Sequence, residues 1–138
     1  MASLIYNSAV DDMARGVIDF DTDTFKVMLV SSAYSPNKDT DLKRSAVTNE
    51  VSGTGYTAGG VTSACTVTKD TANDRVTLSF AAVNWASSSI TARAAVIYKS
   101  RGGLASADEL VCYVDFGADV SSSSATFSLG SSTITLAN

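Results

Sequence analysis

From Thr24 to Leu136 the apolar residues recur at every second position, in short runs broken by clusters of glycine, serine, asparagine and aspartate. Alternation with period two sends successive side chains to opposite faces, so each run reads as a strand with one buried face. The runs are Thr24 to Val30, Thr48 to Val51, Val61 to Lys69, Arg75 to Ala81, Ile90 to Lys99, Glu109 to Phe116, Ala125 to Leu129 and Thr133 to Leu136. Their separators carry turn chemistry: Asp70 to Asp74, Ser87-Ser88-Ser89, Arg101-Gly102-Gly103, Gly117-Ala118-Asp119, Ser121 to Ser124 and Gly130-Ser131-Ser132. No later helix is available to cross between parallel neighbours. The pattern therefore predicts an all-β fold, an antiparallel jelly-roll-like β-sandwich, with an immunoglobulin-like sandwich as the alternative.

One segment has a different period. Leu4, Ile5, Ala9, Val10, Met13, Ala14, Val17 and Ile18 recur at steps of one, three and four, which predicts a short N-terminal helix ending at Gly16 and the polar stop Asp19 to Asp23. The 138 residues suit one domain, divided into a helix or arm over 1–20 and a sandwich over 24–136. One core is expected, built from Phe25, Val27, Leu29; Val76, Leu78, Phe80; Ile90, Ala92, Ala94, Val96, Tyr98; Leu110, Cys112, Val114, Phe116; Phe127, Leu129; and Ile134, Leu136. Lys38 to Arg44, after Pro36, reads as a long exposed loop.

Composition narrows the function. Charged residues make up 17% of the chain, against roughly a quarter in ordinary domains, while 21 Ser and 15 Thr supply much of the polarity. The net charge is -4 and the ten Lys and Arg are scattered, which argues against nucleic-acid binding. There is no histidine, and so no His-dependent triad and no His-ligated metal. No apolar run approaches the length of a membrane span, so no membrane partner is expected. Cys65 and Cys112 read as buried, inert thiols of a protein made in the cytosol.

Several motifs suggest chemistry that their surroundings do not support. Gly53-Thr54-Gly55-Tyr56-Thr57-Ala58 fits a dinucleotide fingerprint that tolerates alanine at the third glycine, but Gly59-Gly60 and a strand-like run follow where a helix is needed. Asp19, Asp21 and Asp23 start like a calcium loop, yet Thr24 and Val30 stand where glycine and a bidentate glutamate are required. Glu50 and Asp115 lie among apolar residues, and Asp115 is expected to pair across strands with Arg93. Trp85, Tyr34 and Tyr56 would form an exposed cluster if the domain bound sugars.

The segment Val47-Thr48-Asn49-Glu50-Val51-Ser52-Gly53-Thr54-Gly55-Tyr56-Thr57-Ala58-Gly59-Gly60 resembles a stretch found in small structural proteins of tailed bacteriophages. Asp21 to Leu29 followed by Tyr34-Ser35-Pro36, then Ile90 to Tyr98, and Tyr113 to Gly117 are similar to segments occurring in the same order there. The similarity covers roughly residues 5 to 117, and the family is that of capsid cement, or head decoration, proteins. The resemblance implies a jelly-roll subunit, made in the bacterial cytoplasm, that sits on the outer surface of the capsid and bridges major capsid proteins. It implies self-association as a homodimer or homotrimer, no cofactor and no enzymatic activity. Protein contact is expected around the glycine loop and the charged loop, at Lys43, Arg44, Glu50, Gly53, Gly55 and Tyr56. The N-terminal segment Leu4 to Ile18 is either an arm or a strut against its own sandwich. The alternative is a tail or fibre module that recognises a host-surface glycan.

Overall fold

The structure, a computed structural model, describes residues 2–138. Chain order runs β1 (Leu4–Ile5), α1 (Asn7–Ala14), β2 (Phe25–Val30), β3 (Val61–Thr62), β4 (Cys65–Asp70), β5 (Arg75–Phe80), β6 (Val83–Ser88), β7 (Thr91–Lys99), β8 (Leu110–Ser121), β9 (Ala125–Leu129) and β10 (Ser132–Ala137), with short 3-10 turns at Arg44–Ala46 and Ala105–Ala107. One layer is a five-stranded sheet in the order β1-β8-β7-β2-β3, and every strand pairing among the described residues is antiparallel. The second layer holds β10-β5-β4 and β6-β9. These two pieces form one bent ribbon: Phe80 faces Ser132 and Val83 faces Leu129, an equal advance of three on each strand. The fold is thus an antiparallel, all-β sandwich with one helix.

The first layer is buried on both faces, and this departs from the expectation of one core. Phe25, Val27, Leu29, Ala92, Ala95, Ile97 and Cys112 meet Leu78, Phe80, Val83, Trp85 and Phe127 of the second layer. On the opposite face Met28, Val30, Ala94, Val96, Tyr98, Leu110 and Tyr113 are covered by Tyr6, Tyr34 and Val47. In β7 and β8 the residues of one alternating set divide between the two faces, which requires a slip. Bulges provide it: Ala92 pairs with Val120 and Ala94 with Asp115, so the ladder is interrupted at Arg93 and across 116–119, where Gly117 has φ +82°. Ile97 pairs with Cys112 but Tyr98 with Leu110, which leaves Val111 extra. Ile90 and Ala92 therefore face the second layer, whereas Ala94, Val96, Tyr98 and Leu110, expected in the same core, face the other way.

Other boundaries shift for local reasons. Leu4–Ile5 is not helical but pairs with Tyr113 and Cys112, and Tyr6 stays extended, so the helix is confined to Asn7–Ala14. The helix packs on its own sandwich through Ala9, and the segment passes from Tyr6 in one core to Met13 beside the other. The run Val61 to Lys69 breaks into β3 and β4 because Ser63, buried, donates its N–H to Phe25 in one layer and its hydroxyl to Ala81 beside the other. Thr48 to Val51 yields only a single bridge, Val30 to Glu50, since Asn49 turns left-handed at φ +59°. The serines 87 and 88 belong to β6 rather than to a turn, and Gly117-Ala118-Asp119 lies inside β8.

Candidate functional site

The fold links the six residues expected at a protein contact through groups that the sequence did not mark, but strings them along β7. Gly53 and Gly55 lie against Ser88 to Ile90 ahead of its start, and Lys43 and Arg44 lie beside Glu109 and Tyr98 at its end. Gly53 and Tyr56 close a turn, Tyr56 N–H to Gly53 carbonyl, which folds the glycine loop back over β2. The Tyr56 hydroxyl donates to Glu50 Oε1 at 2.7 Å and accepts from the Leu29 N–H at 2.9 Å. The same carboxylate oxygen accepts the Gly59 N–H at 2.6 Å. Burial first, then the neighbouring Glu50 carboxylate, push the Tyr56 phenol well above its usual range, while the Leu29 N–H works against them. It is a fixed strut at any ordinary pH.

Backbone contact explains the glycines. At Gly55, with φ +80°, an added Cβ would lie 2.8 Å from Ser88 Cα. At Gly60, with φ +76°, a Cβ would overlap the Val27 carbonyl outright. Any L side chain there would have to displace backbone, because the loop lies directly on strand β2.

Tyr98 joins this loop to the charged one. Its hydroxyl donates to the Gly59 carbonyl at 2.6 Å, and the Arg44 guanidinium sits 5.0 Å over its ring. Burial raises the Tyr98 phenol to about 12, although the Arg44 charge opposes the shift. Arg44 Nε also donates to Asp108 Oδ2 at 2.8 Å, and Asp108 Oδ1 accepts the Arg101 N–H at 2.8 Å. Arg101 Nε reaches both oxygens of Glu109 at 3.0 Å, with Lys43 Nζ 3.6 Å from Oε1. The acidic side chains of Asp108 and Glu109 are each 2% exposed. Desolvation raises the Glu109 pKa, but the Arg101 hydrogen bond and the Lys43 and Arg101 charges outweigh it and leave the carboxyl below its usual range.

Lys43 and Arg44 thus direct their charge inward, and the loop from Lys38 to Arg44 is pinned at both ends: Lys38 carbonyl accepts from Asn7 N–H, and Arg44 N–H donates to Asp108 carbonyl. Sequence reasoning passed over Asp108, Glu109 and Arg101, and placed Tyr98 only in the core. The available signal was an acidic pair directly ahead of the apolar run Leu110 to Val114.

The remaining sequence candidates fall elsewhere. Arg93 and Asp115 pair as expected, Nε to Oδ1 at 3.0 Å. Asp23 binds Lys99 at 2.8 Å, and among the described residues no three metal-ligating side chains converge. Cys65 and Cys112 are free and lie in opposite layers; burial raises them to about 11 and about 12. Trp85 and Tyr34 are buried at 3% and 4% exposure, so the exposed cluster that sugar binding would need does not form: Trp85 packs on Phe127, and Tyr34 bonds Tyr6 and Asp41. Glu50 instead borders an open polar cleft of about 560 Å3, shared with Ser31, Asn49, Ser52, Thr91 and Ser122.

Two further grooves are free of charge. One lies between α1 and the second layer, lined by Ile5, Val10, Met13, Ile134 and Leu136; the other, about 370 Å3, runs between β1 and β10 past Ser3, Leu4, Tyr113 and Thr133. Ile5 and Ile134 line both, so the two adjoin as a furrow that narrows to about 30 Å3 beside α1, with Val10 52% and Ile5 40% exposed at its rim. No helix among the described residues is long and apolar enough to cross a membrane. Comparisons with known protein families, with curated proteins and with solved structures find no match for the chain.

Proposed function

We propose that this chain is a structural subunit of a phage particle, a capsid cement protein that binds the outside of the head and bridges major capsid proteins. The observation that carries the reading is the furrow along α1, β1 and β10, apolar and uncharged, on a sandwich whose charged loop is paired internally. A surface of that kind suits a lasting protein contact better than a soluble substrate. The resemblance adds to it: its segments supply β2, β7, the middle of β8 and the clamped glycine loop, the parts that make the scaffold rigid. A cement subunit that binds assembled lattice and not free capsid protein adds its binding free energy to the shell, multiplied over many copies.

The test is co-sedimentation of purified protein with undecorated heads and, separately, with free tails, over a range of salt concentrations. Saturable binding to heads is expected, with weak salt dependence because the furrow carries no charge. Binding to tails alone, or to neither, would overturn the reading. The tail or fibre alternative then rests on the polar cleft beside Glu50, since its aromatic platform is buried.

A further inference from the structure

Strand β10 is an unguarded sheet edge. Its outer side pairs with no strand among the described residues, and Ser132 to Asn138 contains no charged side chain, no proline and no bulge, the devices that ordinarily protect an edge. The other edge of the same sheet, β4, carries Lys69 and Asp70.

The direction of its free hydrogen-bonding groups follows from one bond. Asn138 N–H donates to the Asp74 carbonyl, so the even-numbered residues of β10 point their backbone groups at β5. Thr133, Thr135 and Ala137 therefore point theirs outward. Side chains obey the same parity: 132, 134 and 136 are half-buried toward the core, while 133, 135 and 137 are exposed.

We propose that a second copy of this chain docks here, β10 against β10 in antiparallel register about a two-fold axis through Thr135. An axis there pairs the whole uncharged run Ser132 to Asn138 with itself. Thr135 then faces Thr135 of the partner subunit, and Thr133 and Ala137 face each other in both directions, so each outward-pointing residue exchanges two bonds. On the inner side Ile134 of one copy lies opposite Leu136 of the other, which continues the apolar furrow across the junction. Charge argues for self: neither groove lined by Ile134 holds an ionised residue, and the charges near β10 gather at its Leu136 end. A charged peptide therefore finds no counter-charge along Thr133 to Thr135, whereas a second β10 brings none. Each copy has a net charge of -4, so the uncharged edge is where two acidic molecules approach with least repulsion. This interface concerns the chain alone in solution and stands or falls independently of head binding.

Sedimentation equilibrium without phage particles tests it. The wild type should give about twice 14.3 kDa at high micromolar concentration. Thr135→Lys and Thr135→Asp should each weaken the dimer, by about tenfold, because like charges would stand directly opposite at the axis. An equimolar mixture of the two should recover wild-type association. Thr135 is exposed, so both variants should retain the wild-type melting temperature. On the wild type itself, the Thr135 amide should gain hydrogen-exchange protection as concentration rises. A monomer at all concentrations, variants that dimerise as well as wild type, a mixture no tighter than its components, or a Thr135 amide indifferent to concentration would each overturn the proposal.

Discussion

Gly60→Ala should destabilise the fold more than backbone conformation alone explains. At φ +76° an alanine costs about 1–2 kcal/mol for the left-handed region, offset by roughly 0.4–1 kcal/mol from a stiffer unfolded chain. Gly16 supplies the control, because it has φ +74° and nothing within 4 Å of an added methyl, so Gly16→Ala carries the conformational cost alone. At Gly60 the new methyl overlaps the Val27 carbonyl, and Val27 and Met28 are 1% and 2% exposed in a strand paired on both sides. Displacing such a strand adds an overpacking cost of about 1–3 kcal/mol. The totals are about 0–1.6 kcal/mol at Gly16 and about 1–4.6 kcal/mol at Gly60, a difference of about 1–3 kcal/mol. At roughly 3–4 °C per kcal/mol for a domain of this size, the melting temperature should fall about 3–12 °C further for Gly60→Ala than for Gly16→Ala. Thermal unfolding followed by circular dichroism reads the difference. Equal shifts for the two variants would mean that the loop does not lie on β2 as described.

Arg44→Met should cost about 2–4 kcal/mol, because it strands the nearly inaccessible Asp108 carboxylate and removes the cation from the Tyr98 ring, whereas Lys43→Met, at a half-exposed 3.6 Å contact, should cost under about 1 kcal/mol; urea denaturation would separate them, and equal costs would refute the assignment. The Glu109 carboxyl is held below its unfolded value, so its stabilisation is full above pH of about 4.3 and is lost as pH falls through the folded pKa. Arg101→Met should therefore lower stability at neutral pH, with the gap to wild type narrowing between about pH 5 and 3; a constant gap in denaturant midpoints would contradict this. A thiol reagent at pH 8 should leave Cys112 unmodified in the native protein and label both cysteines in urea, and rapid native labelling of Cys112 would show that the core between the layers is open.

Strands with one clean alternation were legible: β2, β5, β9 and β10 lie within a residue or so of where the pattern puts them. What alternation cannot encode is a change of face midway, and β7 makes that change at Arg93 and β8 at Val111. Helical spacing over Leu4 to Ile18 was equally misleading at its start, because Leu4 and Ile5 satisfy either period and only the distant β8 decides. The serines of β6 read as a turn because a serine's local preference is overruled by pairing with β9. At the candidate site, Glu50, Tyr56, Lys43 and Arg44 could be singled out as residues, but not joined. Their connection runs through Asp108, 64 residues from Arg44, and Tyr98, 39 residues from Gly59, separations over which no local pattern carries information.

The pairing of Leu4 with Tyr113 also sets a timetable for the newborn chain. At about 5–20 residues per second, the ribosome needs roughly 5–20 s to make the intervening chain, and for that interval β1 and Tyr6 have no sheet to join. Folding must therefore close its longest loop late, which places this sandwich among the slow, non-local folders. Until β8 is made and the N-terminal segment docks on it, the Tyr34 face of the five-stranded sheet lacks its Tyr6 cover and is open to whatever meets it first.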